Sequence, residues 1–280
     1  MKYFIHEEAL VSQYPKDASK YDGYRKDDEG EQTVVFHDRY IVSWGRFRCN
    51  HLSFGPYGMI TGMHILQSCY RRRFSQREYP IRASLWQVLW DEVFRHWVSP
   101  GDTVMDIGAG YGEFLRVARA KHKIAVDINP DTGKHAGKGI TVLAVSAERI
   151  PKIYNGTIDT IFMSNFLEHL PTKDACMAVL GRSWELLRPG GTLIIMQPNI
   201  DLTRERYWDF IDHTIALNDR SVLEALGVCG FRVVRSVRRF LPYTTKSWLP
   251  MYPSLLRLYL RIPSGIRPFA GQSLFIAIKG

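Results

Sequence analysis

Residues Thr103-Val-Met-Asp-Ile-Gly-Ala-Gly-Tyr-Gly-Glu-Phe114 constrain this chain more than any other stretch, because a hydrophobic strand runs into three glycines and then into a helix. Gly108, Gly110 and Gly112 let the backbone turn tightly and approach a bound molecule where a Cβ would collide. Beyond the turn, Phe114, Leu115 and Ala118 take spacings that suit one apolar helix face. The pattern is G-x-G-x-G, with Glu113 where a dinucleotide-binding turn places its third glycine. Asp106 ends the strand, where a carboxylate can hold a ligand ammonium group directly or through water.

Four more strands follow at regular intervals. Lys123-Ile-Ala-Val-Asp-Ile-Asn-Pro130 reads as a buried strand ending at Asp127, a carboxylate placed to accept both hydroxyls of a ribose. Thr141-Val-Leu-Ala-Val145 reads as the third, followed by Ser146, Ala147 and Glu148; Ile158-Asp-Thr-Ile-Phe-Met163 reads as the fourth, followed by Ser-Asn-Phe-Leu-Glu-His169. In Leu187-Arg-Pro-Gly-Gly-Thr-Leu-Ile-Ile-Met196, Pro-Gly-Gly stops a helix and starts the fifth strand. Asp106, Asp127 and Asn165 thus all lie at carboxyl ends of predicted parallel strands, where open α/β sheets bind ligands. Each taken singly could equally cap a helix or solvate a strand end.

From Asp106 to Met196 these five signals resemble, in order and spacing, the class I S-adenosylmethionine (SAM)-dependent methyltransferases, and the Arg-Pro-Gly-Gly turn is more typical of that family than of dehydrogenases. The resemblance covers roughly residues 100 to 280 and is specific for cofactor rather than substrate. It implies an α/β fold, a doubly wound, mostly parallel, seven-stranded Rossmann-like sheet, with SAM as cofactor and S-adenosylhomocysteine as product. It also implies that Asp106, Gly108 and Gly110 surround the methionine part of SAM, that Asp127 holds the ribose hydroxyls and that Ile128 packs against the adenine. Ser146, Ala147 and Glu148 stand where the family often has Asp-Ala-Glu, so adenine recognition would fall to the serine hydroxyl or the Ala147 backbone. Asn165 and Phe166 would face the methyl donor.

The charge is concentrated at one end. Arg232, Arg235, Arg238, Arg239, Lys246, Arg257, Arg261, Arg267 and Lys279 lie between Gly230 and Gly280 with no acidic residue, and this segment accounts for the whole formal charge of +9. A local basic surface attracts something anionic. By the resemblance, Phe231-Arg-Val-Val-Arg235 is strand six and Ser273 to Lys279 strand seven, with 236–271 as an inserted basic and aromatic segment. Within it, Leu255-Leu-Arg-Leu-Tyr-Leu-Arg-Ile262 is helix-like, with Arg257 and Arg261 on one face. That composition suits an interfacial helix, giving a peripheral membrane contact through 248–262, or else a helix packed on the sheet edge or against a second copy.

Upstream, Tyr70 to Arg77 and Leu85 to Trp97 read as helices, the second with an apolar stripe of Leu85, Val88, Leu89, Val93 and Trp97. Residues 63–99 are read as a helical lid segment in which Tyr70 and Phe74 would close over SAM, as the resemblance implies. Residues 1–62 are read as an extension that covers the active site or makes an oligomer contact, in which Thr33 to Phe36 and Tyr40 to Trp44 could form a small hairpin. No apolar run approaches a membrane span and no signal-peptide pattern is present, which gives a cytoplasmic expectation, membrane-peripheral if the interfacial helix is real. Cys49, Cys69, Cys176 and Cys229 are far apart, suggesting neither a disulfide framework nor a zinc site.

Methyl transfer from a sulfonium is an in-line displacement in which alignment supplies much of the rate. A hydroxyl acceptor also needs its proton removed, and histidine is the default base. His169 and His213 are the candidates, with Glu168 beside the first, and Gln197 to His213, rich in polar and aromatic groups, suits a substrate wall. Glu168-His169 can instead be purely structural. In small-RNA 2′-O-methyltransferases and ubiquinone-pathway O-methyltransferases, a Glu-x-x-Glu-His pattern with a later histidine contributes to a divalent metal site; Asn165 replaces the first Glu here, so no metal is assigned and Glu168, His169 and His213 stand as the alternative ligand set. The favoured reading is O-methylation of a small-molecule or glycan hydroxyl, in sugar or secondary-metabolite modification. A lipid-linked or quinone acceptor, RNA, disfavoured by the absence of a recognised RNA-binding module, and a non-catalytic SAM-binding protein are the alternatives.

Overall fold

The computed structural model describes the backbone of three short strands before residue 44, then residues 79–243 and 252–280. The chain divides into two units, Met1–Gly55 and Pro56–Gly280. In the first, β1 (Tyr24–Lys26), β2 (Gln32–Phe36) and β3 (Tyr40–Ser43) form an antiparallel sheet in that order, with Tyr24 opposite Val34 and Thr33 opposite Ser43.

The second unit carries a seven-stranded sheet. Its strands are β4 (Thr103–Ile107), β5 (His122–Val126), β6 (Thr141–Leu143), β7 (Ile158–Ser164), β8 (Leu187–Pro198), β9 (Phe231–Pro242) and β10 (Ala270–Lys279), in the spatial order β6-β5-β4-β7-β8-β10-β9. Strands β4 to β8 are mutually parallel, and β10 is inserted antiparallel between β8 and β9. The order reverses between β4 and β7, so their carboxyl ends border the crevice in which a doubly wound sheet takes its ligand.

The near-continuous apolar runs of β4, β7 and β8 reflect burial on both faces, as parallel strands covered by helices require. Alternation along each strand divides the side chains between two cores. Met105, Ile107, Ile161, Met163, Leu193 and Ile195 pack on one face with residues of α4 (Lys173–Leu186) and α6 (Asp219–Val228). Val104, Phe162, Ile194, Leu274 and Ile276 pack on the other with α1 (Tyr79–Glu92), α2 (Glu113–Val117) and Leu256 of α7 (Pro253–Arg261). Phe114 and Phe162 stack there at 3.8 Å between ring centroids. Among the described residues, two further short helices, α3 (Thr132–His135) and α5 (Ile200–Thr203), follow β5 and β8.

Side-chain caps set several boundaries. Thr172 accepts from the Ala175 amide at the start of α4, and Asn218 and Ser221 form a reciprocal capping box on α6. Some boundaries differ from the sequence reading. The α1 helix stops at Glu92 and is followed by a 3-10 turn over Phe94–His96, and β6 ends at Leu143 rather than Val145. The β9 strand runs on to Pro242 and β10 begins at Ala270, so the connection is shorter than 236–271. The cause is pairing: Val237 lies opposite Leu274 and Pro242 opposite Ala270, which extends a ladder that local composition does not reveal. Among the described cysteines, Cys176 is buried, Cys229 half-buried, and neither forms a disulfide. Cys49, Cys69, Tyr70 and Phe74 lie outside the described residues.

Candidate functional site

The glycine turn after β4 is shaped by its backbone angles. Gly108, Gly110 and Gly112 have φ of 77°, 54° and 71°, the left-handed region that costs a side-chain-bearing residue. Gly108 has a second constraint, since a Cβ there would sit 2.5 Å from the Phe166 ring. Phe166, just after β7, therefore lies directly over the turn that follows β4. The Gly108 and Ala109 amides donate to the Val126 carbonyl at 2.9 and 3.2 Å, tying the turn to β5.

Asp127, one residue past β5, accepts from the Gly110 amide at 2.6 Å and the Asn129 amide at 2.7 Å. The same carboxylate thus shapes both loops bordering the crevice. Burial raises its pKa, and the two amides act against that shift by favouring the ionised form. Asp106 is buried, and its pKa is raised well above the usual carboxylate value, first by burial and then by the charge of Asp127. A cation beside these two buried, mutually repelling carboxylates would offset the cost of ionising them.

Ile128 is 42% exposed at the rim. Ser146 is half-buried, and Ala147 joins the hydrophobic core, which leaves only its backbone for a ligand. Glu148 is exposed. Asn165 has φ of 48°, its amide donates to the Met196 carbonyl at 2.8 Å and its side chain reaches the Ser164 hydroxyl at 3.3 Å. This strained position aims the chain over the ends of β7 and β8.

Beyond Phe166, a 3-10 turn over Leu167–His169 buries Glu168, whose two carboxylate oxygens accept no hydrogen bond. Burial raises its pKa to about 7, against the charge of His169. His169 Nδ1 lies 3.0 Å from the Asp212 carbonyl oxygen and 3.5 Å from the Asp212 carboxylate, and Nε2 lies 3.9 Å from Glu168 Oε1. A carbonyl can only accept, so Nδ1 carries the proton and Nε2 is the basic nitrogen of the neutral ring.

His213 arrives from a distant part of the chain. The Thr214 amide donates to the Glu168 carbonyl at 2.9 Å, and the Thr214 hydroxyl donates to the Leu170 carbonyl, docking the segment after β8 onto the loop after β7. Tyr207 anchors the same segment through its hydroxyl, 2.8 Å from the Ile215 carbonyl. The His213 ring consequently lies 5.0 Å from that of His169 and 4.9 Å from that of Tyr207. One ligand atom each from Glu168, His169 and His213 converge within 4.8 Å.

Arg82, Trp86 and Asp212, around the site, were not singled out in the sequence. Glu113 accepts from Arg82 Nε at 2.7 Å and Trp86 Nε1 at 3.2 Å, clamping α1 onto the helix that leaves the glycine turn. Polar Arg82 on an otherwise apolar stripe was the available signal. Asp212 orients His169, and nothing local in the sequence marks it.

The methyltransferase domain model matches residues 75–236, more than half the chain. The chain belongs to this methyltransferase family. No curated protein sequence matches it. Among solved structures, a SAM-dependent methyltransferase from Archaeoglobus fulgidus is similar with a TM-score of 0.53 at 18% identity, over 70% of this chain and 94% of that one. A proposed methyltransferase in complex with the Haloferax volcanii Trm112 methyltransferase activator gives a TM-score of 0.56 at 16% identity, over 75% and 97% of the two chains. A Thermotoga maritima protein described as a possible histamine N-methyltransferase gives 0.51 at 17%, over 75% and 98%. These likenesses establish the shared Rossmann-like fold; SAM is the cofactor of the family.

Proposed function

We propose that this methyltransferase transfers the methyl group of SAM to a hydroxyl oxygen of a small-molecule or glycan acceptor, with His169 taking the hydroxyl proton. The observation that carries this reading is the orientation of His169: its Nδ1–H is held by the Asp212 carbonyl at 3.0 Å, which leaves Nε2 as a positioned base.

SAM supplies a methyl carbon made electrophilic by its sulfonium. Asp127 would hold its ribose part and Asp106 its cationic part, whose charge would offset the burial that raises the Asp106 pKa, and the Gly108 turn beneath Phe166 would allow the close approach. Bound there, SAM would give up its methyl to the acceptor oxygen and leave as the neutral sulfide, while His169 Nε2 would take the hydroxyl proton. Glu168, ionised in part near neutral pH, stabilises the resulting imidazolium across 3.9 Å. Trp208, 50% exposed, and Ile211, 85% exposed, offer apolar area beside His213 for the body of the acceptor.

The test is incubation with methyl-labelled SAM and a lysate separated into small-molecule, polysaccharide, lipid and RNA fractions, with Asp106→Ala as control. Label in the small-molecule or polysaccharide pool supports the reading, whereas label confined to lipid or RNA reassigns the acceptor. Full turnover by both His169→Ala and His213→Ala removes these histidines from proton transfer.

A second reading is favoured by one feature, the hydrogen-bond-free Glu168 carboxylate converging with His169 and His213. One carboxylate and two imidazoles fit a divalent transition metal better than magnesium, which prefers an all-oxygen shell. Activity abolished by a chelator and restored by one divalent metal selects this reading over the metal-free base.

A further inference from the structure

We propose that the outer face of α7, with the arginine-lined cavity beside it, is a docking surface for an anionic lipid bilayer. The argument begins with a helix that turns apolar side chains in two directions. Leu256 is buried against the core, and Leu260 and Tyr259 pack beside it. At about 100° per residue, Leu255, Leu258 and Ile262 fall within about 60° of one another on the far side of the helix. Leu255 is 42% and Leu258 60% exposed. Tyr252 precedes them, and Ile266 and Phe269 follow, all three more than half exposed. Five large apolar side chains in solvent within one short segment exceed the scattered exposure normal for a surface.

The charges alongside have one dominant sign. Arg257 and Arg261 occupy the helix positions next to this stripe. Arg257 is already paired with Asp91 at 4.0 Å and Glu92 at 3.5 Å. Arg235 and Arg261 instead line a cavity of about 100 Å³ with Arg267 and Glu92, walled by Val93, Val237, Phe240 and Leu260. Arg267 is fixed there, donating to the carbonyls of Leu260 at 2.7 Å and Ile262 at 2.9 Å, which pins the end of α7. Three guanidinium groups against one carboxylate leave the cavity cationic, and no acidic residue lies between Gly230 and Gly280.

Apolar side chains flanked by cations match the two layers of an anionic membrane surface, hydrocarbon below and phosphate above. Self-association through the same face would set arginine against arginine, so charge complementarity favours lipid over a second copy. No described helix is long and apolar enough to cross a membrane, and this contact is peripheral.

Sedimentation with vesicles of phosphatidylcholine alone, and of phosphatidylcholine mixed with phosphatidylglycerol, tests this with the full chain. Binding is expected only to the anionic vesicles and is expected to weaken with added salt. Arg235→Glu combined with Arg261→Glu is expected to lower partitioning by at least about 25-fold, at about fivefold per arginine. Leu255→Glu with Leu258→Glu is expected to abolish it, and Leu258→Ala to lower it while circular dichroism and thermal denaturation stay at wild-type values. Equal sedimentation with both vesicle types, or with neither, overturns the proposal. So does a wild-type dimer that Leu258→Glu dissociates, in the absence of vesicle binding. None of these readouts depends on methyl transfer, so failure here is separable from failure of the proposed activity.

Discussion

Glu168→Gln isolates the cost of one buried carboxylate. The wild-type side chain is 1% exposed, and its pKa rises from 4.5 to about 7 on folding. Below about pH 4.5 the group is protonated in both the folded and unfolded chain and contributes nothing through linkage. Between about 4.5 and 7 the unfolded chain has released its proton and the folded chain has not, so the unfolded state gains and stability falls as pH rises. Above about 7 both are ionised and the cost is constant. A shift of this size corresponds to roughly 3 kcal/mol at the plateau, most of which develops between pH 5 and pH 8. Glutamine keeps the shape without titrating, and any cost of burying its amide is the same at both pH values. Urea denaturation of both proteins in chelator is therefore expected to show a mutant-minus-wild-type difference about 2–3 kcal/mol more favourable to Glu168→Gln at pH 8 than at pH 5. An identical difference at the two pH values would refute the reasoning, because the carboxylate would then be ionised in the folded protein throughout.

Three further outcomes are expected. Gly108→Ala places a Cβ 2.5 Å from the Phe166 ring at φ of 77°, and is expected to destabilise by at least about 2 kcal/mol and to abolish SAM binding measured by calorimetry. Asp127→Ala removes the acceptor of the Gly110 and Asn129 amides and is expected to weaken SAM binding at least about tenfold, while Asp127→Asn retains part of the loop geometry and falls between. Arg82→Ala leaves Glu113 without its cationic partner in a largely buried position and is expected to lower stability by about 3 kcal/mol in denaturant titration, with Arg82→Lys recovering part of the loss.

The order of β4, β5, β7 and β8 was legible because each parallel strand, buried on both faces, is a run of apolar residues ending at a polar tip. The glycine turn was legible for a related reason, since positive φ at three alternate positions admits few residues other than glycine. Strand β9 was read too short because its outer half, Ser236 to Pro242, breaks strand alternation at the adjacent Arg238 and Arg239 and is held as strand by its register against β10. Glu113 read as the residue that breaks a dinucleotide fingerprint, whereas its role as the acceptor of Arg82 and Trp86 depends on a helix about thirty residues away.

Local sequence was enough for the sheet class and the methyltransferase family, and for placing Asp106 and Asp127 at strand ends, because these follow from local chemistry repeated along the chain. Tertiary structure alone decided that His213 meets His169 and that Asp212 fixes which imidazole nitrogen is basic. Those contacts join segments more than forty residues apart through backbone bonds from the Thr214 and Ile215 amides to the Glu168 carbonyl, and backbone hydrogen bonding carries no residue signature. The same holds for the exposed leucines of α7: composition shows an amphipathic helix, but only the packing of Leu256 against the core shows which apolar face is left outside.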